Sequence, residues 1–555
     1  MLRGIIHSWT RSSDAIVNAG RLKDALKPVP LAKLDERCMD GTRVDQINTI
    51  REWITDTQRP NIFLIYGSPG AGKSAISSTL AFEIPQKHHC TRFFFRRDEV
   101  DRRDPTLVWP TVAFELASGD RNMKKGIVDI LETKMIRPHD ANVKEQFEAL
   151  IRVPLMNAGE RRPVGPFVLI LDALDECSQD AKQWPIFLQT LRTWSELPGP
   201  FKLIVTSRDD STIHKTLDGV SERIQLLSGG DVDMTTSKEI EHFMVVRFAE
   251  ISSQFPSLPS DWPGFRKIHE LVDYAAGLFI LAKTVVEWID DGDPEGRLSK
   301  IKDNPGEAEA NLDELYCQIL TTATLRLRDT EPDDFTTALS AIVLAKDPLS
   351  RDDLKALFQF SDTLTELIMR KLTVVVSTQS SHLRVCHKSF SDFLLDRERS
   401  KAFTIDRERQ SVAFANACLR HMNARLRFNM FNVKTSHCFN KDIPDYDAIY
   451  HSIPDSLIHS SYYWAEYLEG LLAKPSHGLS ELTELESFLH EHMLHWFELL
   501  SLKGAVHLAP RLLILASKHI RVSSHHNRFT NLSHFYLRTV TGLYRNLLWM
   551  AVDLL

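Results

Sequence analysis

The residues best suited to chemistry form an eight-residue loop, Gly67–Ser74, with the sequence GSPGAGKS. This loop has the pattern G-x-x-x-x-G-K-[ST]. It lies between an apolar run, Asn61–Tyr66, that predicts a buried strand and a small-residue run that predicts a helix. Glycines let successive backbone N–H groups turn toward phosphate oxygens, and the start of the helix adds its positive dipole end. The pattern therefore predicts a nucleotide-binding loop.

Two side chains of this loop can hold a nucleotide and its metal. The Lys73 ammonium can reach the β- and γ-phosphates, and the Ser74 hydroxyl can ligate Mg²⁺. The guanine-reading N-K-x-D motif of GTPases is absent from the sequence, which favours adenine, so the predicted cofactors are ATP or ADP with Mg²⁺. The predicted cofactor-binding residues of this region are Gly67, Ser68, Pro69, Gly70, Ala71, Gly72, Lys73, Ser74 and Ala75.

A group of acidic residues follows a second apolar run, Pro166–Leu171, which also predicts a strand. Asp172 ends this run and is predicted to hold Mg²⁺ at the edge where open α/β sheets bind their ligands. Either Asp175 or Glu176 can polarise the attacking water, and Glu176 is favoured. Arg208 ends the next predicted strand and can sense the γ-phosphate at the same edge; a capping arginine is the alternative.

Continuous apolar runs alternate with helical patterns through the first part of the chain. Four strands are predicted, at Asn61–Tyr66, Thr91–Phe95, Pro166–Leu171 and Phe201–Thr206. Buried strands separated by helices indicate a parallel sheet covered on both faces. The predicted fold class is therefore an α/β P-loop NTPase domain, with a parallel sheet and helices on both faces.

Helical patterns dominate beyond about residue 230. Amphipathic helices are predicted at Ser237–Ile251, Phe265–Ile289 and Leu312–Leu327. Three helices between Asp333 and Asp396, with a β-rich pair between the second and the third, predict a winged-helix domain. The predicted organisation is a short N-terminal segment (1–40), a nucleotide-binding domain (41–230), a helical domain (231–330), a winged-helix domain (331–400) and an all-α C-terminal domain (401–555).

The bulk composition limits the function classes. A chain of 555 residues with 43% hydrophobic and 25% charged residues is typical of a multidomain globular protein. The net charge of −7 argues against a generic nucleic-acid binder. Seven scattered cysteines without a C-x-x-C pair predict reduced thiols, and no stretch predicts a membrane span. A cytoplasmic location is the expectation.

Together these motifs resemble the NACHT family of signal-transducing P-loop ATPases, the STAND group, and in particular fungal NOD-like receptors. The resemblance is carried by GSPGAGKS, LILDALDEC and KLIVTSR in that order. It continues downstream through YAAGLFILAKTVVEWI, LDELYCQIL, DPLSRDDLKALF and HKSFSDFLLD, and covers about Cys38 to Asp396. Residues 41–230 would accordingly be the NACHT domain.

The resemblance implies roles for individual residues. It assigns phosphate binding to the loop glycines and Lys73, Mg²⁺ to Ser74 and Asp172, hydrolysis to Asp175 and Glu176, and phosphate sensing to Arg208. It also implies that His387 contacts the β-phosphate of ADP, although residue type alone is equally compatible with a core or surface histidine. The sequence departs from many relatives at Gly277-Leu278-Phe279, where they have the glycine-x-proline that contacts adenine.

The resulting hypothesis is an ATP/ADP-dependent signalling switch with weak ATPase activity. By the resemblance, nucleotide exchange opens the chain and lets it self-associate into a ring or wheel, in fungal non-self recognition or regulated cell death. Two alternatives are a nucleotide-stabilised scaffold without useful turnover and an AAA-type remodelling or nucleic-acid-handling ATPase. The acidic pair Asp175-Glu176 disfavours the scaffold, and the net negative charge disfavours nucleic-acid handling.

Overall fold

The structure, a computed structural model, describes residues 20–523 with internal gaps. The gaps are at 32–33, 35–36, 87, 134–135, 139–140, 158–165, 180–181, 230–231, 302–307, 325–330, 378–380, 431, 433–439, 441–442 and 469–483. The chain divides into two compact units, Met1–Tyr316 and Cys317–Leu555.

A parallel sheet forms the centre of the first unit. Its strands are β1 Ile62–Gly67, β2 His89–Phe94, β3 Phe167–Asp172, β4 Phe201–Ser207 and β5 Ser221–Leu226. All four pairings are parallel, and the strand order is β2-β3-β4-β1-β5. Strand β4 thus separates the strand that leads into the glycine-rich loop from the strand that ends in Asp172. The carboxyl ends of β1, β3 and β4 meet at one edge of the sheet.

Both faces of this sheet are buried, as the continuous apolar runs predict. Side chains of a strand alternate between the two faces, so Leu64 and Leu169 belong to one apolar layer while Ile65 and Ile170 belong to the other. The first layer contains Trp109 and Trp194, and the second contains Trp53. This arrangement confirms the predicted α/β fold class.

The helices of the first unit flank the sheet and then follow it. They are α1 Val44–Thr55, α2 Lys73–Glu83, α3 Val100–Arg103, α4 Val108–Gly119, α5 Arg121–Glu132, α6 Val143–Phe147, α7 Val153–Asn157, α8 Gln183–Thr193, α9 Ser211–Thr216, α10 Met234–Gln254, α11 Phe265–Ala275, α12 Phe279–Asp290, α13 Pro294–Leu298 and α14 Ala308–Thr324, which crosses into the second unit. The N-terminal segment also contributes to the core, because Leu22, Leu26 and Val29 pack in the layer that contains Trp109.

The prediction of a single helix at Phe265–Ile289 is wrong. The structure has two helices there, α11 and α12. The break contains Ala276 and Gly277, with φ values of 40° and 82°. A Cβ atom on Gly277 would lie 2.9 Å from the carbonyl oxygen of Leu227, so this close approach requires glycine. The apolar periodicity continues through the break, which is why the pattern gave no sign of it.

The second unit begins with helices and a two-stranded hairpin. The helices are α15 Glu331–Leu344, α16 Arg351–Phe358, α17 Asp362–Lys371 and α18 Lys388–Leu395, and the strands are β6 Val376–Ser377 and β7 Arg384–Val385. Three helices precede the antiparallel pair, whereas two were predicted, because Gln359 in the left-handed conformation ends α16 and Ser361 caps α17. Helices on both sides of a small hairpin remain, as a winged helix requires.

The rest of the described second unit is helical. Its helices are α19 Arg397–Ser400, α20 Arg407–Arg425, α21 Tyr446–Ser452, α22 Asp455–Tyr463, α23 Leu485–Ser487, α24 Met493–Leu502 and α25 Ala509–Ser523. The predicted C-terminal helical domain continues to residue 555, and residues 524–555 lie outside the described part. None of the described helices is long and apolar enough to cross a bilayer.

A buried polar pair lies among these C-terminal helices. The His459 Nε2 is 2.8 Å from the Tyr467 hydroxyl, which also accepts a hydrogen bond from the Lys346 backbone N–H at 3.1 Å. The ring of Phe414 stacks on Tyr467 with 4.1 Å between centroids. Burial lowers the pKa of His459 from 6.5 to about 3, so this imidazole is neutral in the folded protein.

We expect the second unit to lose stability as the pH falls from 7 to 5. Below pH 6.5 the unfolded chain binds a proton at His459 that the folded chain excludes until about pH 3, so stability decreases with falling pH. At 1.4 kcal/mol per pH unit, this group costs about 2 kcal/mol at pH 5. Urea unfolding of the wild type and of His459→Gln at both pH values measures the effect.

The glutamine variant should show a smaller pH dependence than the wild type. His451→Gln, which removes an exposed histidine of α21, serves as the matched control and should keep the wild-type dependence. Equal pH dependence of the wild type and His459→Gln would contradict the prediction.

Candidate nucleotide-binding site

The glycine-rich loop has the backbone conformation that its sequence predicts. Gly67, Gly70 and Gly72 have φ values of 150°, 84° and 97°, a region that other residues rarely adopt. A Cβ atom on Gly67 would lie 2.4 Å from the carbonyl oxygen of Leu226, the last residue of β5. The close approach of β5 therefore requires glycine where β1 enters the loop. Helix α2 then begins at Lys73.

The Lys73 side chain folds across the loop. Its ammonium donates hydrogen bonds to the carbonyl oxygens of Gly67 at 2.7 Å and of Ser68 at 2.9 Å. Ser74 and Ala75 follow on the first turn of α2 and are half-buried. A positive charge is thus held over a loop of glycines at the N-terminus of a helix, which is the setting that binds phosphate.

Asp172 lies at the carboxyl end of β3 and is buried, with 2% of its surface exposed. The Thr206 hydroxyl on β4 donates to Asp172 Oδ1 at 2.6 Å and accepts from the Ala173 backbone N–H at 2.8 Å. Ala173 has a φ of 55°, so the turn after β3 is strained. Thr206 therefore orients both the carboxylate and the strained turn that follows it.

The oxygen donors at this edge suit magnesium. Asp172 offers a carboxylate and Ser74 a hydroxyl, from strand and helix ends that are separated by one intervening strand, roughly 10 Å from β1 to β3. Mg²⁺ is commonly held by one or two protein oxygens while water and phosphate oxygens complete its octahedron. These two residues would hold the ion, which would neutralise phosphate charge when bound.

Asp175 and Arg208 form an ion pair at the same edge. The Arg208 Nε lies 3.1 Å from Asp175 Oδ2, and the Arg208 backbone N–H donates to Asp175 Oδ1 at 3.1 Å. Both carboxylate oxygens of Asp175 are thus directed at the end of β4. Asp175 therefore fixes the position of the Arg208 side chain.

Glu176 has a different environment from Asp175. Its Oε2 accepts a hydrogen bond from the Arg97 backbone N–H at 3.1 Å, and the Arg97 guanidinium donates to the Asp175 carbonyl at 3.3 Å. Arg97 follows β2, the strand paired with β3, so the topology brings it beside the turn. Glu176, like Asp175, is half-buried.

The segment at Gly277-Leu278-Phe279 is followed by a residue that contacts the loop. The backbone N–H of Ile280, the next residue, donates to the Gly70 carbonyl at 3.1 Å. In addition, the Ser228 hydroxyl, just after β5, donates to the Ser68 hydroxyl at 2.8 Å. Residues that follow the sheet in sequence therefore contact the phosphate loop directly.

His387 caps the N-terminus of α18 in the second unit. Its Nδ1 accepts a hydrogen bond from the Ser389 backbone N–H at 3.2 Å and lies 2.7 Å from the Ser389 hydroxyl. The imidazole is half-buried. Its predicted contact with a phosphate stays a prediction.

Several residues that contact the site were not predicted from the sequence as functional positions, including Thr206, Arg97, Arg43 and Ile280. Thr206 and Arg97 adjoin the acidic turn, while Arg43 and Ile280 contact the loop. A hydroxyl at the end of the strand beside Asp172 was a detectable signal for Thr206. The other three act through backbone groups or tertiary contacts, which leave no local sequence pattern.

One family model matches part of the first unit. Residues 42–208 match the family model described as Nephrocystin 3, N-terminal. No curated protein gave a match. The matched residues contain the loop, the acidic turn and Arg208.

Several solved structures are similar to this chain at low sequence identity. A Walker-type ATPase of Pyrococcus abyssi is 14% identical, with 65% of this chain and 98% of that chain covered and a TM-score of 0.34. A STAND protein with a tetratricopeptide repeat sensor from Pyrococcus horikoshii is 13% identical, with 92% and 72% covered and a TM-score of 0.40. The Drosophila origin recognition complex bound to DNA is 11% identical, with 67% of this chain and 90% of that chain covered and a TM-score of 0.29.

The geometry of the first unit identifies its fold. A parallel sheet, a glycine-rich loop between β1 and α2, and a buried carboxylate at the end of β3 occur together in the first unit. This chain contains an α/β P-loop NTPase fold.

Proposed function

We propose that this chain binds ATP and ADP with Mg²⁺ and acts as a nucleotide-dependent switch with slow hydrolysis. The observation that carries the proposal is the convergence of four side chains at one sheet edge. Lys73 lies over the glycine-rich loop, while Asp172, Glu176 and Arg208 end or follow the two neighbouring strands. Phosphate-binding, metal-binding and water-polarising groups are then within one site.

The pairing of Arg208 with Asp175 supports a means of distinguishing ATP from ADP. A γ-phosphate at this edge would compete with the Asp175 carboxylate for the guanidinium, and ADP would not. The two nucleotides would therefore stabilise different arrangements of the turn after β3. Glu176 would polarise the attacking water, which makes hydrolysis the step that returns the turn to its ADP arrangement.

The signalling part of the proposal is supported by the motif resemblance. In this proposal ADP favours a closed monomer, a contact of His387 with ADP stabilises it, and ATP favours self-association into a ring or wheel. The biological output would be non-self recognition or regulated cell death in a fungus. The downstream partner would be a protein recruited by the assembled form.

The proposal is tested by identifying the nucleotide that co-purifies and by measuring molar mass with ADP or with ATP and Mg²⁺. We expect bound ADP in the purified monomer and a larger species with ATP. His387→Asn should assemble without ATP, since asparagine keeps the helix cap but removes the imidazole. Mass spectrometry and size exclusion with light scattering give both readouts.

Two outcomes would count against it. A chain that neither retains nucleotide nor binds it on titration would refute the proposed function as a whole. A His387→Asn protein that stays monomeric with ADP would remove only the role of His387.

A further inference from the structure

One buried side chain connects the phosphate loop to the helices that follow the sheet. Arg43 precedes helix α1, has 2% of its surface exposed and adopts a φ of 55°. Its Nη2 donates to the Ala71 carbonyl at 2.7 Å, and its Nη1 donates to the Thr236 hydroxyl of α10 at 3.1 Å. Its guanidinium carbon lies 4.8 Å from the centre of the Phe279 ring in α12.

The contact with Ala71 bears on how the loop presents its amides. In a trans peptide the carbonyl and the next N–H point in opposite directions. Since the Ala71 carbonyl is directed at Arg43, the Gly72 N–H faces away from Arg43. The bond to a guanidinium also polarises this peptide, which makes the N–H a better donor to an anion.

Hydrogen bonds fix both ends of the preceding peptide of the loop, which joins Gly70 and Ala71. The Gly70 carbonyl accepts from the Ile280 N–H at 3.1 Å, and the Ala71 N–H donates to the Ser68 carbonyl at 3.2 Å. Arg43 and Ile280 therefore hold two successive loop carbonyls. Both contacts involve helix α12. Ile280 of α12 donates the hydrogen bond to Gly70, and Phe279 of α12 packs against the Arg43 guanidinium.

Folding stability alone does not explain the buried ion pair of Arg43 and Glu239. Arg43 Nη1 lies 3.8 Å from Glu239 Oε2, and both Arg43 Nε and Glu239 Oε2 are buried without a hydrogen-bond partner. Burial lowers the pKa of Arg43 from its ordinary value, with Glu239 opposing the shift. A buried ion pair with unsatisfied atoms is often no more stabilising than apolar residues of the same size.

We propose that Arg43 is a positioning residue of the nucleotide site. Through the Ala71 carbonyl it sets the orientation of the Ala71–Gly72 peptide, and through Thr236 and Phe279 it ties that orientation to α10 and α12. Nucleotide affinity then depends on where these two helices lie. This inference rests on the proposed nucleotide binding at the loop.

The test compares nucleotide affinity with folding stability in one set of variants. The double variant Arg43→Met/Glu239→Gln removes both charges, so neither is left buried without its partner. The glutamine oxygen can still accept hydrogen bonds from the backbone N–H groups of residues 43 and 44, as Glu239 does. Calorimetric titration with ADP and with ATP and Mg²⁺ should show affinities reduced about ten- to a hundredfold. The urea midpoint should stay at the wild-type value, and Arg43→Lys should recover part of the affinity.

The control is Arg51→Met, which removes an exposed arginine two turns along α1 that pairs with Glu83. It should bind nucleotide like the wild type. A folded Arg43→Met/Glu239→Gln protein with wild-type affinity would overturn the inference. So would an affinity loss matched by a lower urea midpoint and not relieved by lysine.

A second readout separates this inference from the proposed function. Hydrogen–deuterium exchange without nucleotide should be faster at residues 70–73 and 279–281 in the double variant than in the wild type. If the wild type binds no nucleotide, the proposed function fails, and faster exchange would still show that Arg43 fixes the loop. Unchanged exchange in these segments would refute that role.

Discussion

Lys73→Ala should weaken Mg·ATP binding by at least about thirtyfold while leaving the chain folded. The ammonium bridges two loop carbonyls, at 2.7 and 2.9 Å, and places a positive charge at the predicted phosphate-binding loop. Removing one partner of a desolvated charge pair typically costs about 2–5 kcal/mol, or roughly thirtyfold to several-thousandfold in affinity. Titration with a fluorescent ATP analogue and Mg²⁺ measures the change.

Two further variants make the Lys73 result specific. Lys73→Met keeps the aliphatic stem and should lose as much affinity as the alanine variant, because charge and not packing is removed. Lys125→Ala changes an exposed lysine of helix α5 and should bind like the wild type. Wild-type affinity in Lys73→Met would show that this side chain does not contact phosphate.

Glu176→Gln should retain ATP but hydrolyse it about a hundredfold to ten-thousandfold more slowly. The amide keeps the size of the side chain and an oxygen that can accept from the Arg97 N–H, now at 3.1 Å from the carboxylate. It cannot accept a proton from water. Phosphate release at saturating ATP measures turnover, and the titration used for Lys73 measures binding.

Asp175→Asn is the matched comparison, since it makes the same chemical change one residue earlier. Asp175 makes two contacts of 3.1 Å with Arg208. Asp175→Asn should therefore alter the preference for ATP over ADP more than the rate of ATP hydrolysis. A larger loss of turnover in Asp175→Asn than in Glu176→Gln would reverse the two roles. Negligible turnover in the wild type, unchanged in both variants, would leave the scaffold alternative.

The sheet was predictable wherever its strands are buried on both faces. The four predicted strands are found within two residues of their predicted ends, because continuous apolar runs can only be accommodated inside. Strand β5, Ser221–Leu226, was missed because SERIQL is mostly polar, and its first five residues are half-buried or exposed. An edge strand with a solvated face resembles a loop in sequence.

The site was predictable where its chemistry is local. The glycine-rich loop and the acidic turn are each contiguous in sequence, so their residue types and spacing indicate their roles. Arg43 could not be recognised, because its partners, Ala71 and Thr236, are 28 and 193 residues away. The capping role of His387 was missed for a different reason, since a histidine is an uncommon choice for a helix cap.

The position of β5 sets a lower limit on the length of any autonomous nucleotide-binding fragment. The family match ends at residue 208, but β1 pairs with β5 along Ile62–Gly67, and Gly67 adjoins the Leu226 carbonyl. A protein truncated at residue 208 would expose one hydrogen-bonding edge of an apolar strand, which favours aggregation. Expression boundaries should therefore lie beyond α12, so that the edge is covered and Ile280 is retained.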